Sequence, residues 1–149
     1  MQRRRPTWDQ YFINIAEVVA TRSHDIETQV GCVLVSPNRR IISAGYNGFP
    51  PGFDDENLPN TRPEKYKYMV HAEANAIAFA RRSLNDCTLY CTLTPCEDCI
   101  KLILTCGIKR FVCKKKYKGW DKVADLLRFS KIYYKVENEP EIHHWGLAK

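Results

Sequence analysis

His71, Glu73, Cys96 and Cys99 are the residues of this chain whose types and spacing could do chemistry. They fall in two short stretches, His71-Ala72-Glu73 and Pro95-Cys96-Glu97-Asp98-Cys99. One imidazole and two thiolates suit Zn²⁺, and three protein ligands leave a fourth position for water. A closed structural site would need a fourth Cys or His nearby, and neither stretch holds one. Glu73 is then free to move protons rather than bind metal. The metal would bring the pKa of its water toward ~7. Glu73 would take a proton from that water and hand it on to a substrate atom. The competing reading is a structural zinc knot with Glu73 solvated, and the missing fourth ligand argues against it.

These residues need helix ends to hold them. Thr94, Pro95 and Glu97 read as a helix start, with Thr94 as cap, Pro95 in the first helical position and Glu97 closing a T-x-x-E capping box. Cys96 and Cys99 then share one face of a first turn, where free amides and the helix dipole favour thiolates. His71 opens a segment in which Ala72, Ala74, Ala76, Ala78 and Ala80 alternate with larger residues. Small side chains let a helix lie close to a neighbour. The expectation is two helix N-termini face to face, with the metal between them.

The chain has 149 residues, enough for one domain with a real core. No apolar run is long enough to span a membrane, and Met1 to Pro6 does not read as a secretory signal. Seven cysteines without such a signal argue for a reducing, cytoplasmic setting and metal use rather than disulfides. The net charge of +6 suits an anionic ligand. Arg3, Arg4 and Arg5 read as a solvated terminus, His24 as a turn residue, and the segment with His143, His144 and Trp145 as surface tail.

Thr7 and Gln10 frame a first helix whose Trp8, Tyr11, Phe12, Ile15, Val18 and Val19 recur at helical spacing, ending near Ala20. Val30 to Val35 is a continuous apolar run and reads as a buried strand, followed by a strand from Ile41 to Tyr46. Residues 47–63 are rich in Pro, Gly, Asn and Asp; a loop of that length should be functional and should border the site. Further strands are expected at Cys87 to Thr92, Lys109 to Cys113 and Ile132 to Val136. Helices are expected from His71, from Cys96 to Cys106, and around Val123 to Leu127. This order gives an α/β three-layer α/β/α sandwich with a mixed five-stranded sheet, antiparallel at its start and parallel later.

The H-A-E and P-C-x-x-C halves resemble the zinc nucleobase deaminases, in particular the cytidine/deoxycytidylate deaminase superfamily. Gly45 to Pro50, Lys65 to Ile77 and Thr94-Pro95-Cys96 with Cys106-Gly107-Ile108-Lys109 narrow the resemblance to deoxycytidylate (dCMP) deaminases. It runs from about Trp8 to Tyr134 and implies a cytidine-deaminase-like fold over residues 1–149. It implies a catalytic Zn²⁺ on His71, Cys96 and Cys99, and Glu73 as proton carrier. Asn47 falls on the asparagine that bonds the sugar. Ala72, Arg22 and Tyr117 fall at substrate positions, with Arg22 facing phosphate, a role that suits a guanidinium.

The implied reaction is dCMP to dUMP and ammonia, supplying dUMP for thymidylate synthesis, and the motif leaves dCTP to dUTP open. Family members are commonly homo-hexamers activated by dCTP and inhibited by dTTP, which implies effector contacts at Gly48 and Phe49 and Mg²⁺ with the triphosphates. The second, structural zinc of some members uses Cys and His in the long loop, and this chain has neither between Asn47 and Tyr68. Two rival classes remain. A deaminase of single-stranded RNA or DNA would need an extended basic and aromatic groove, whereas Asp54, Asp55 and Glu56 put negative charge beside the site. The reading is therefore a nucleotide enzyme with no nucleic-acid and no membrane partner. The other rival, a non-catalytic zinc module, gives Glu73 nothing to do.

Overall fold

The computed structural model of the chain describes residues 2–144; Met1 and Trp145, both named above, lie outside them. β1 (Gly31–Val35) is buried along its whole length, and its alternate side chains feed two separate cores. Cys32 and Leu34 face one side and Val33 and Val35 the other, as the twofold repeat of a strand requires. A strand covered on both faces reads as an unbroken apolar run, which is why it was legible.

On one face lies α1 (Trp8–Ala20), whose Phe12, Ile13 and Ala16 pack on Val33, Val35, Tyr90 and Val112. On the other lie α2 (Ala72–Ala80) and α3 (Glu97–Thr105), joined by Trp120 of α4 (Trp120–Ala124). Between them are β2 (Ile41–Tyr46), β3 (Thr88–Leu93), β4 (Arg110–Lys115), β5 (Tyr133–Val136) and β6 (Ile142–His143). The strand order is β2-β1-β3-β4-β5-β6. β1 pairs antiparallel with both β2 and β3, whereas β3–β4 and β4–β5 are parallel. This is the mixed three-layer sandwich expected.

Among the described residues the sheet has six strands rather than five. β6 is two residues long and pairs antiparallel with β5, its His143 ring stacked 3.8 Å from Tyr133. Two residues carry no period, so the tail gave no strand signal. The buried face of α1 also differs from the periodic reading, since Trp8 is 50 % and Val18 68 % exposed. The helix meets the sheet through small residues instead. A Cβ on Gly31 would lie 2.0 Å from the Ala16 carbonyl oxygen, so the helix backbone lies directly on β1. α2 uses the same device, because a Cβ on Gly45 would lie 2.5 Å from the Ala76 nitrogen. The Ser43 hydroxyl donates to Ala76 O at 2.8 Å and fixes α2, with its N-terminus, against β2.

Candidate active site

His71 and Cys96 are the N-cap residues of α2 and α3, each with extended backbone and neither capping with its side chain. Both side chains are therefore free for a ligand, and Cys99 joins them from the buried side of the first turn of α3. The capping box expected at Thr94 does not form. β3 and β4 stay paired as far as Leu93–Lys115, and the Thr94 N–H donates to Lys115 O at 2.9 Å. The Thr94 hydroxyl accepts from the Tyr117 N–H at 2.8 Å, so the sheet holds Thr94 and the helix begins later, at Glu97.

The His71 Nδ1 lies 3.4 Å from the Sγ of Cys96 and 3.4 Å from that of Cys99. One donor atom from each of the three residues falls within 4.8 Å of the others. A tetrahedral zinc with ordinary Zn–N and Zn–S bonds separates such atoms by about 3.5 Å, so the trio fits that ion. Without a metal, the Cys96 thiol is pulled down to about 4, first by a hydrogen bond from Cys99 and, against burial, by His71. Cys99 is pushed up in turn, first by that bond and then by burial.

Glu73 sits in the first turn of α2, 4 % exposed. Burial pushes its carboxyl above the usual range, and the helix backbone and His71 only partly offset this. A carboxyl that holds its proton more tightly than usual is suited to take one and return it. With His71, Ala72 and Cys96 it lines a cleft of about 280 Å³. Ala72 is fully buried at the start of α2, where a first-turn amide has no partner within the helix.

The opposite wall is built on Asp25, Asn47 and Lys65, all buried. The Lys65 ammonium donates to Asp25 Oδ2 at 2.7 Å and lies 3.2 Å from Glu27. Asp25 Oδ1 accepts from the amides of Glu27 and Thr28. Burial raises the Asp25 carboxyl, but these donors outweigh it and leave it below the ordinary value. Asn47 gives both amide hydrogens to the scaffold, at Asp25 Oδ2 and Thr28 O, and its Oδ1 accepts from the Val30 N–H at 2.8 Å. The remaining lone pair on Oδ1 makes Asn47 an acceptor toward a ligand, matched to a hydroxyl donor.

Arg22 does not reach this cleft. It follows the end of α1, its N–H bonded to Val19 O, and is exposed outside the cleft lining. The guanidinium at the mouth belongs to Arg62 instead. It donates to Tyr66 Oη at 2.7 Å, to Thr28 Oγ1 at 2.9 Å and to Tyr117 Oη at 3.2 Å, and pairs with Glu27 at 3.3 Å. Tyr117 lines the same rim. Gly48 and Phe49 line a second cavity, of about 310 Å³, away from the metal trio. Gly48 is bridged to Val70, just ahead of α2, and the Phe49 ring meets His24 edge-on at 4.4 Å.

Sequence reasoning missed Arg62, Lys65, Asp25 and Thr28. The one available signal was that residues 47–63 should border the site, and Arg62 is the arginine in that loop.

Residues 6–115 match the model of the cytidine and deoxycytidylate deaminase zinc-binding region. A probable deoxycytidylate deaminase of Caenorhabditis elegans is 44 % identical over 106 residues, which cover 68 % of this chain and 54 % of the worm protein. The deoxycytidylate deaminase of Homo sapiens is 39 % identical over 132 residues, covering 83 % of this chain and 74 % of the human one. The chain thus spans about half of the worm protein and about three quarters of the human one. Among solved structures, a dCMP deaminase from the cyanophage S-TIM5, in complex with dCMP and dUMP, superposes with a TM-score of 0.72 at 27 % identity. The superposition covers 90 % of this chain and 99 % of that one. Among the described residues, no helix is long and apolar enough to cross a membrane.

Proposed function

The chain belongs to the cytidine and deoxycytidylate deaminase family, and from that premise we propose that it is a zinc enzyme converting dCMP and water to dUMP and ammonia. One observation carries the reading: a buried carboxylate, Glu73, shares a mononucleotide-sized cleft with a His/Cys/Cys trio at metal spacing. His71, Cys96 and Cys99 would hold Zn²⁺, which when bound makes a water nucleophilic near neutral pH. Glu73 takes a proton from water and delivers it to the ring nitrogen as the amino-bearing carbon becomes tetrahedral. It then takes the proton of the hydroxyl now on that carbon and passes it to the amino group, which leaves as ammonia while the hydroxyl oxygen becomes the ring carbonyl. Burial keeps the carboxylate from being stabilised by solvent, so it remains basic enough for the first transfer and acidic enough for the last. Asn47 accepts from a sugar hydroxyl, Ala72 offers its backbone at the start of α2, and Tyr117 closes the rim.

Arg62 takes the phosphate role first assigned to Arg22. A charge-assisted bond to phosphate contributes about 1.5–3 kcal/mol. Arg62→Ala is therefore expected to cost roughly ten- to a hundredfold in kcat/KM on dCMP and little on deoxycytidine. The test is ammonia release from deoxycytidine, dCMP, dCTP, CMP and a deoxycytidine-containing oligonucleotide. The expected order has dCMP well above deoxycytidine and CMP, and Arg22→Ala leaves that order intact. Comparable rates on dCMP and dCTP would add a second substrate to the same site. The oligonucleotide as best substrate would overturn the nucleotide reading.

The regulatory and assembly readings rest on the family. Residues 1–149 act as one deaminase domain in the cytoplasm, feeding thymidylate synthesis; seven free cysteines favour a reducing compartment. The chain forms a homo-hexamer, with dCTP or dTTP, accompanied by Mg²⁺, bound near Gly48 and Phe49. The separate cavity beside α2 supports this, since a ligand there would press on the helix that carries Glu73. dCMP saturation should be sigmoidal, become hyperbolic with dCTP and be suppressed by dTTP. A monomer with hyperbolic kinetics indifferent to both would contradict it.

A further inference from the structure

Three cysteines outside the metal trio lie side by side across the sheet. Cys32 is the cross-strand partner of Cys91, and Cys91 that of Cys113. All three are fully buried beneath α2 and α3. The central one touches the chemistry: Cys91 Sγ lies 3.6 Å from Glu73 Oε1, within hydrogen-bond range for the larger sulfur atom. An ionised carboxylate only accepts, so the thiol is the donor. Once Cys96 and Cys99 ligate a metal as thiolates they too can only accept, which leaves Cys91 as the thiol that can donate to Glu73.

We propose that Cys91 is a positioning residue, whose S–H bond to Glu73 Oε1 aims the carboxylate that moves the proton. The role suits a thiol. A hydroxyl or amide at this point would stabilise the anion more strongly and weaken it as a base, whereas the weak S–H donor fixes direction at small cost in basicity. β3 is a central strand paired on both sides, so its side chain is a rigid reference for a residue on a short helix. The inference rests on the deaminase reading above and deepens it.

The test compares Cys91→Ala and Cys91→Ser in zinc-loaded protein. Loss of the donor in Cys91→Ala should lower kcat on dCMP roughly three- to tenfold, the effect of one modest hydrogen bond. KM and zinc content should not change. Cys91→Ser should recover part of that loss although its buried hydroxyl makes it no more stable than the alanine variant. A packing role gives the opposite order, with serine no better than alanine and kcat following melting temperature; that result overturns the proposal. A readout independent of turnover is the S–H stretching band that disappears in Cys91→Ala. It should move to higher frequency in Glu73→Ala, where the acceptor is gone, and an unmoved band overturns the proposal. Should the wild-type chain release no ammonia from dCMP, the substrate reading falls, and the S–H band alone decides the Cys91–Glu73 bond.

Discussion

Glu73→Ala is expected to bind zinc and dCMP as the wild-type chain does and to lose turnover by roughly 10⁴-fold. The separation follows from the geometry. Glu73 is not part of the trio of donor atoms that come within 4.8 Å of one another, so its removal leaves His71, Cys96 and Cys99 in place. It is the carboxylate buried in the cleft beside them, and every proton transfer in the proposed reaction passes through it. Burial raises its proton affinity, so the variant also sheds a desolvated acid and should melt no lower than the wild type. Metal analysis, nucleotide binding and single-turnover ammonia release on the same sample check each part. Near-normal turnover would mean that the proton path lies elsewhere.

Cys99→Ala and Cys96→Ala are expected to abolish activity by the other route, through loss of the metal. Purified wild-type protein should carry about one zinc per chain. With a thiolate removed, His71 and one sulfur remain, too few to hold the ion against dilution or a mild chelator. Cys99 is 4 % exposed within the first turn of α3, so its variant also leaves a small buried void and should melt lower than Cys96→Ala. Both should still fold, because the two apolar cores on either side of the sheet are built from other residues. Full zinc occupancy in both variants would sink the ligand assignment.

The grouping of His71, Glu73, Cys96 and Cys99 could be read from the sequence because its signal is local. His71 and Glu73 share one helix start, and Cys96 and Cys99 another, so residue type and spacing alone imply a common site. The buried strand β1 was equally plain. The far wall was not, because it is made by contacts distant in sequence. Arg22 and Arg62 both lie in polar segments, and only the return of residues 47–63 over the cleft brings Arg62 to Thr28 and Tyr117. Lys65 reads as a surface residue by type, yet it is 2 % exposed because Asp25, forty residues earlier, meets it. Thr94 had the composition of a cap, and the parallel pairing of β3 with β4 overrode that local preference. The exposed face of α1 misled for a related reason, since the close approach allowed by Gly31 and Ala16 outweighs the aromatic stripe.

The most direct test of the central claim is to incubate the zinc-loaded wild-type chain with dCMP in H₂¹⁸O and weigh the product. The account predicts dUMP carrying one ¹⁸O on the ring carbon that bore the amino group, with one ammonia released for each dUMP formed. The signal should vanish when zinc is removed and return when it is restored. Unlabelled dUMP, or no conversion of dCMP by the fully loaded protein, would contradict it.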